Sequence, residues 1–291
     1  MTENYGKDKN YIYLNNKKLE GIDVKTFEKM QANLIRDKNG IYKVEKDEEK
    51  HEFKIVPINA KINFKNLKSL DWGYFKDDKN IYYFDGDKFE KIEGADASSF
   101  EKVKYSDFYK DKNYVYYNGK KIVGMDFKDI ENIDEEWSIT ELDGMWIKYK
   151  DNVYYKGKKL KGISSDNFSY FDGGLSYDKI LVDKNGIYKF IETEDNKKTI
   201  EVTRLDSKGI DLETLERITS PMDSSNYFKD KNGVYFMDGN KFVKINGADK
   251  DSFEVTESGK YGKDKNNVYF EGKKLEGKKS KEFKEEMEIK Q

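Results

Sequence analysis

One histidine, no cysteine and 57 acidic side chains bound the chemistry open to this 291-residue chain. A zinc site or a His-based triad needs more than His51 supplies, and no thiolate can serve as ligand or nucleophile. His51 itself lies among charges in KDEEKHEFKIVP and reads as a surface side chain. Asp-x-Asn-Gly suggests calcium, because EF-hand-type loops begin with alternating oxygen ligands. Here Lys sits between the two oxygens, no third ligand follows, and a strand-like run begins at once. That pattern is a turn in which Asp and Asn bond their own backbone. The acidic stretch IENIDEEWSITELDG at 130–144 has no ligand spacing either. Glycoside hydrolysis needs two carboxylates facing one cleft, and the acids that recur here occupy turns and helix caps. No GxGxxG or GxxxxGK[ST] run offers a phosphate cradle. The expectation is a protein without catalytic residues, cofactor or metal, with a carbohydrate-active enzyme as the lower alternative.

Tyrosine ladders can bind sugars or stack on bases. In a stacked repeat, however, a recurring Tyr is needed for the core between units. The positions that vary, such as Tyr83, Tyr117 and Tyr155, are then the better ligand platforms. Lysine patches such as NNKKLEG, NGKK and KGKKLKG could touch phosphates, but acids interleave with them and only Arg36, Arg204 and Arg217 provide guanidinium. With a pI near 5.9, nonspecific DNA binding is not expected.

These side chains need a scaffold, and composition allows one. Charged residues make up 38% of the chain with a net charge of only −2, so no single-sign field dominates. Apolar content is a low 36%, but 22 Tyr and 18 Phe can supply core volume. No stretch approaches the ~18 apolar residues of a membrane span. The opening MTENYGKDKN has neither a basic nor an apolar leader region. As it stands the sequence reads as cytoplasmic, or as extracellular or envelope if a signal was removed. Abundant Lys, Asn, Ile and Tyr with scarce Arg and Pro point to an AT-rich bacterial or phage genome, which the coding sequence tests.

One unit is spelled eight times. KDKNYIYL at 7–14, KDKNYVYY at 110–117, KDKNGVYF at 229–236 and KDKNNVYF at 263–270 are its clearest openings. Asp-Lys-Asn is hairpin-turn chemistry, and the Ile-Tyr or Val-Tyr pair after it points to opposite faces of a strand. A second turn follows, as in DGD at 85–87, NGK at 118–120 and EGK at 271–273. The unit closes on G-x-D-x-x-S/T-F-E, in which the Asp is a helix N-cap. The cap positions are Asp23, Asn63, Asp96, Asp126, Ser164, Asp211, Asp249 and, anomalously, Lys279. Four residues on stands an apolar partner: Phe27, Leu67, Phe100, Ile130, Phe168, Leu215, Phe253 or Phe283. The spacings from turn Asp to cap, taken from Asp8, Asp37, Asp78 and Asp111, are 15, 26, 18 and 15. From Asp151, Asp183, Asp230 and Asp264 they are 13, 28, 19 and 15. The order short, long, medium, short occurs twice, which reads as a tandem duplication with lobes at 1–143 and 144–291. The expected fold is mainly β with short helices. It is a tandem repeat of eight three-stranded-meander-plus-helical-turn units, arranged as two four-unit lobes.

Units of the form KDKNxVYYxGKKLxGxDxxSF resemble the DKNYY repeat family of bacterial proteins, over almost the whole chain. The resemblance implies a repeat protein, commonly exported or on the surface, and supplies no catalytic residues. The expected function is therefore non-enzymatic binding of a macromolecule. A protein partner comes first, with an inhibitor role in phage–host or toxin conflict; the alternative is a surface or envelope protein recognising glycan or host protein. Insertions within repeats often carry the binding surface. The second and sixth units hold them, as long hairpins at 42–58 and 188–205. Their expected partner-binding residues are Lys46, Asp47, Glu48, Glu49, His51 and Phe53 in the first, and Phe190, Glu194, Asp195, Lys197, Lys198 and Arg204 in the second. The competing reading is that each hairpin only covers a neighbouring edge.

Overall fold

The computed structural model describes residues 4–31, 33–47, 49, 52–59, 62–104, 106–125, 145–171, 179–193, 199–220 and 225–283. Among them run eight antiparallel sheets, and in each the neighbouring strands follow one another in chain order. Each unit supplies the three strands expected of it. The fourth unit shows them as Tyr109–Lys110, Val115–Tyr117 and Lys120–Lys121. A further strand comes from the preceding unit. The Glu101–Lys102 pair that follows Phe100 joins this sheet with Lys102 opposite Tyr109. Glu28–Lys29, Lys68–Ser69, Ser169–Phe171, Glu216–Arg217 and Glu254–Val255 do the same for their sheets. The closing motif of one unit thus becomes the edge of the next.

That early pairing leaves no length for a helix. At Asp23 the amide of Thr26 donates to the cap carboxylate at 3.0 Å and to the Asp23 carbonyl at 3.3 Å, and the chain then enters its strand. The same single turn closes at Asp96, Asp211 and Asp249. Regular helix amounts to two 3-10 turns among the described residues, Phe64–Asn66 and Ser280–Glu282. Asn63 and Lys279 precede these turns without making a side-chain cap bond, contrary to the cap role read for Asn63. Asp126 lies outside the described residues.

Two turn assignments also change. In the third unit the amides of Lys79 and Asn80 donate to Asp77 at 2.8 and 2.7 Å, so Asp77 and not Asp78 is the turn acid. In the fifth unit Tyr149, five residues before Tyr154, occupies that place, and not Asp151. Recounted from Asp77 and Tyr149, the turn-to-cap spacings are 15, 26, 19, 15 and 15, 28, 19, 15.

Packing follows strand alternation. The β-branched residue of each pair is fully or almost fully buried, from Ile12 to Val268. Ile81 joins Phe100, Tyr109 and Tyr116 between the third and fourth units, while its neighbour Tyr82 joins Ile41, Leu67 and Phe75 between the second and third. One face of a sheet therefore packs on the unit before it and the other on the unit after, the nearest-neighbour stacking of a repeat array. The chain divides into two compact units, 1–149 with 154–159, and 150–153 with 160–291.

Candidate functional site

The recurring acids come together at the junction of consecutive units. At the third junction Asp111 is completely buried. One of its oxygens, Oδ1, accepts the amides of Asn113 and Tyr114 at 2.7 and 2.8 Å. The other, Oδ2, accepts the Tyr116 hydroxyl at 2.7 Å and, from the preceding unit, the Asp96 amide at 2.8 Å. Lys112 reaches back to the Asp96 carboxylate at 2.7 Å, and its amide donates to Ser99 Oγ at 3.0 Å. Asp23, Thr26, Asp37 and Lys38 repeat this arrangement at the first junction. So do Asp211, Thr214, Asp230 and Lys231, and Asp249, Ser252, Asp264 and Lys265. Ser164 donates its amide to Asp183 in the same way. The oxygens that a cation would need already accept hydrogens. The second junction substitutes other groups: Asn66 Nδ2 donates to Asp78, and Arg36 Nη1 to the carbonyls of Phe64 and Leu67.

Titration follows from these contacts. Lys38, and then Thr26, hold the Asp23 carboxyl down to about 2. Lys112, with Ser98 and Ser99, holds Asp96 well below the usual carboxylate range. Burial, then Asp77, pushes Tyr82 up to about 12, and burial with Asp264 does the same to Tyr269. A carboxyl with a lowered folded pKa stabilises the fold above its unfolded pKa and loses that contribution as pH falls through the folded value. A tyrosine with a raised one stabilises below about 10 and loses it as pH rises toward 12. The denaturant midpoint should therefore fall below about pH 4 and again above about pH 10. Tyrosinate absorbance should appear together with unfolding on the alkaline side. Titration of every tyrosine near pH 10 with the circular dichroism unchanged would contradict the assignment.

Each long hairpin is described in part. Strands Gly40–Asp47 and Glu52–Pro57 pair from Tyr42–Pro57 to Asp47–Glu52. Phe53 and Ile55 pack on Ile12, Leu14 and Leu19, so this hairpin covers the first unit. Lys46 and Glu49 are exposed and Asp47 is half-buried, whereas Glu48 and His51 lie outside the described residues. In the second hairpin Phe190 is only 3% exposed. Arg204 is exposed and donates to the Asn185 carbonyl at 2.6 Å. Glu194, Asp195, Lys197 and Lys198 lie outside the described residues, as does the 130–144 stretch. The supposed aromatic platforms are packing residues: Tyr155 is 3% exposed, Tyr83 lies on Gly119, and Tyr117 packs on Phe108 and Gly157.

The most exposed aromatic among the described residues is one that the repeat pattern passes over. Trp72 is 57% exposed and sits at φ 55°, in the tight turn between Lys68–Ser69 and Tyr74–Lys76. Its turn is held from three sides. Gln31 accepts the Gly73 amide at 3.0 Å and donates to the Tyr74 carbonyl at 2.7 Å. The Tyr109 hydroxyl donates to the Asp71 carbonyl at 3.1 Å. Lys102 stands 3.6 Å from the Asp71 carboxylate and 5.5 Å from the indole centre. The clue in the sequence is an apolar Trp directly before Gly, where turns are usually polar.

The recurring Asp–Lys–Asn–Tyr framework is also what the comparisons recognise, since residues 1–46, 43–120 and 227–290 match the DKNYY family. The chain belongs to the DKNYY family. Between these matches, 121–226 includes the fifth unit, where Tyr149 replaces the turn Asp and Ser164 the cap Asp that mark a DKNYY unit. No curated protein and no solved structure matches the chain. No helix among the described residues is long and apolar enough to cross a membrane.

Proposed function

We propose that this DKNYY protein is a non-enzymatic binding protein whose partner is another protein, engaged through Trp72 and the charges of Asp71 and Lys102. The observation that supports this reading is the contrast between Trp72 and the recurring residues. Asp, Lys, Ser/Thr and Tyr of the motif are committed to the junctions, while Trp72 is a large indole left in solvent on a turn fixed by hydrogen bonds. A bulky side chain at positive φ costs conformational energy, and such strain collects where binding is the gain. Trp is also, with Tyr and Arg, enriched among the residues that dominate an interface.

The test is immobilised wild type against Trp72→Ala, first to capture a partner from the source cell and then to measure its affinity. Loss of about 2 kcal/mol, close to 30-fold, is expected, with the unfolding midpoint unchanged. Equal affinity of the two proteins would remove Trp72 from the interface. The flanking Asp71 carboxylate also favours a second reading, sugar stacking on the indole with polar groups at its edge. Glycan binding by wild type, lost in Trp72→Ala, would select that reading.

A further inference from the structure

Each junction has two halves. The giving half is the closing turn, with its cap amide, its cap carboxylate and a hydroxyl three residues on. The receiving half is the turn Asp with the Lys that follows it. Among the described residues five junctions join a cap amide to the next turn Asp: Asp23 to Asp37, Asp96 to Asp111, Ser164 to Asp183, Asp211 to Asp230 and Asp249 to Asp264. Four of them add the Lys–Asp pair, at 2.5–2.9 Å.

The first unit carries a complete receiving half. Asp8 accepts the amides of Asn10 and Tyr11 and the Tyr13 hydroxyl, and both Asp8 and Lys9 are exposed. No giving half sits on it among the described residues. The eighth unit carries a giving half with altered polar residues. Its turn forms, with the Phe283 amide on the Ser280 carbonyl at 3.3 Å, but Lys279 stands where Asp belongs and Glu282 where Ser or Thr belongs.

We infer that the Asp8–Lys9 face is a docking surface shaped for the closing turn of a second copy of this chain, and that Lys279 holds this association off. In that contact Lys279 faces Lys9, so the attraction of the internal junctions becomes repulsion between two ammonium groups. The device matters because a head-to-tail contact builds a ring if its rotation closes and otherwise propagates into a filament. A single reversed charge at the giving end stops it without disturbing the receiving unit's own turn.

A charge-swap series read by sedimentation velocity over a range of concentrations tests the inference. The wild type should show no concentration-dependent shift. Lys279→Asp restores the internal pairing with Lys9, and Lys9→Glu creates the opposite pairing with Lys279. Each alone should shift sedimentation to larger values as concentration rises, and high salt should reduce the shift. The double variant, which opposes Glu to Asp, should return to wild-type behaviour. All the substituted side chains are solvent-exposed, so unfolding midpoints serve as the folding control. Association of the wild type, or no shift in either single variant, overturns the inference.

Discussion

Replacing Asp111 with alanine should destabilise the protein by about 4 kcal/mol, the largest loss expected from any single junction residue. The reasoning is one of stranded donors. The amides of Asn113, Tyr114 and Asp96 and the hydroxyl of Tyr116 all end on this carboxylate, which has no solvent exposure. Alanine leaves four donors facing a small void, and each buried donor without a partner costs about 1–3 kcal/mol before water and relaxation recover part of it. Asp111→Asn should cost roughly half as much. Its amide keeps one oxygen for Asn113 and Tyr114 but turns an NH2 toward the Asp96 amide. Asp8→Ala is the control, since Asp8 is exposed and accepts no amide from a preceding unit among the described residues; its loss should be clearly smaller. Denaturant unfolding gives the totals. Hydrogen exchange at residues 96, 113 and 114 shows whether the damage spreads to the third unit through Asp96. If Asp111→Ala unfolds within about 1 kcal/mol of wild type, the carboxylate does not hold the junction.

The junction also shows what the sequence could reveal and what it could not. Turn and cap were each legible because their bonds are local: an Asp oxygen accepts from the amides two or three residues on, at Asp37 and at Asp96 alike. That a cap amide ends on the turn acid of the next unit was not legible, because the two are 14 to 19 residues apart. The constant offset of five residues between turn Asp and recurring Tyr was the available signal. It separates Asp77 from Asp78 and shows that Tyr149 replaces an Asp. The extra strands were hidden because two polar residues, such as Glu28–Lys29, carry no period. Phe53 illustrates a different limit. Alternating apolar residues on a long hairpin read the same whether they face a partner or, as Phe53 does, the chain's own first unit. Trp72 lies outside any period, so counting repeats passes over it.

Alanine at Gly119 and alanine at Gly272 should each cost about 3 kcal/mol, and by nearly the same amount. Both glycines close the second turn of a unit at positive φ, 73° and 77°, where a side chain on an L-residue is disfavoured by about 1–2 kcal/mol. Both also lie under an aromatic ring of the preceding unit. A Cβ at Gly119 would stand 2.6 Å from Tyr83, and one at Gly272 would stand 2.5 Å from Phe236. Both amides donate to a buried tyrosine hydroxyl, Tyr74 at 2.9 Å and Tyr227 at 3.1 Å. Forcing a methyl group beneath such a ring adds about 1–3 kcal/mol of overpacking. Gly239 separates the two contributions. It has φ 61° but open space around its Cα, so Gly239→Ala should show only the backbone cost of about 1 kcal/mol. The two buried sites belong to corresponding units of the two spacing series, so equal losses are what a tandem duplication requires. If Gly119→Ala costs no more than Gly239→Ala, the ring does not press on the turn. If Gly119 and Gly272 differ by more than about 1.5 kcal/mol, the two halves have diverged in the packing that their matching spacings imply.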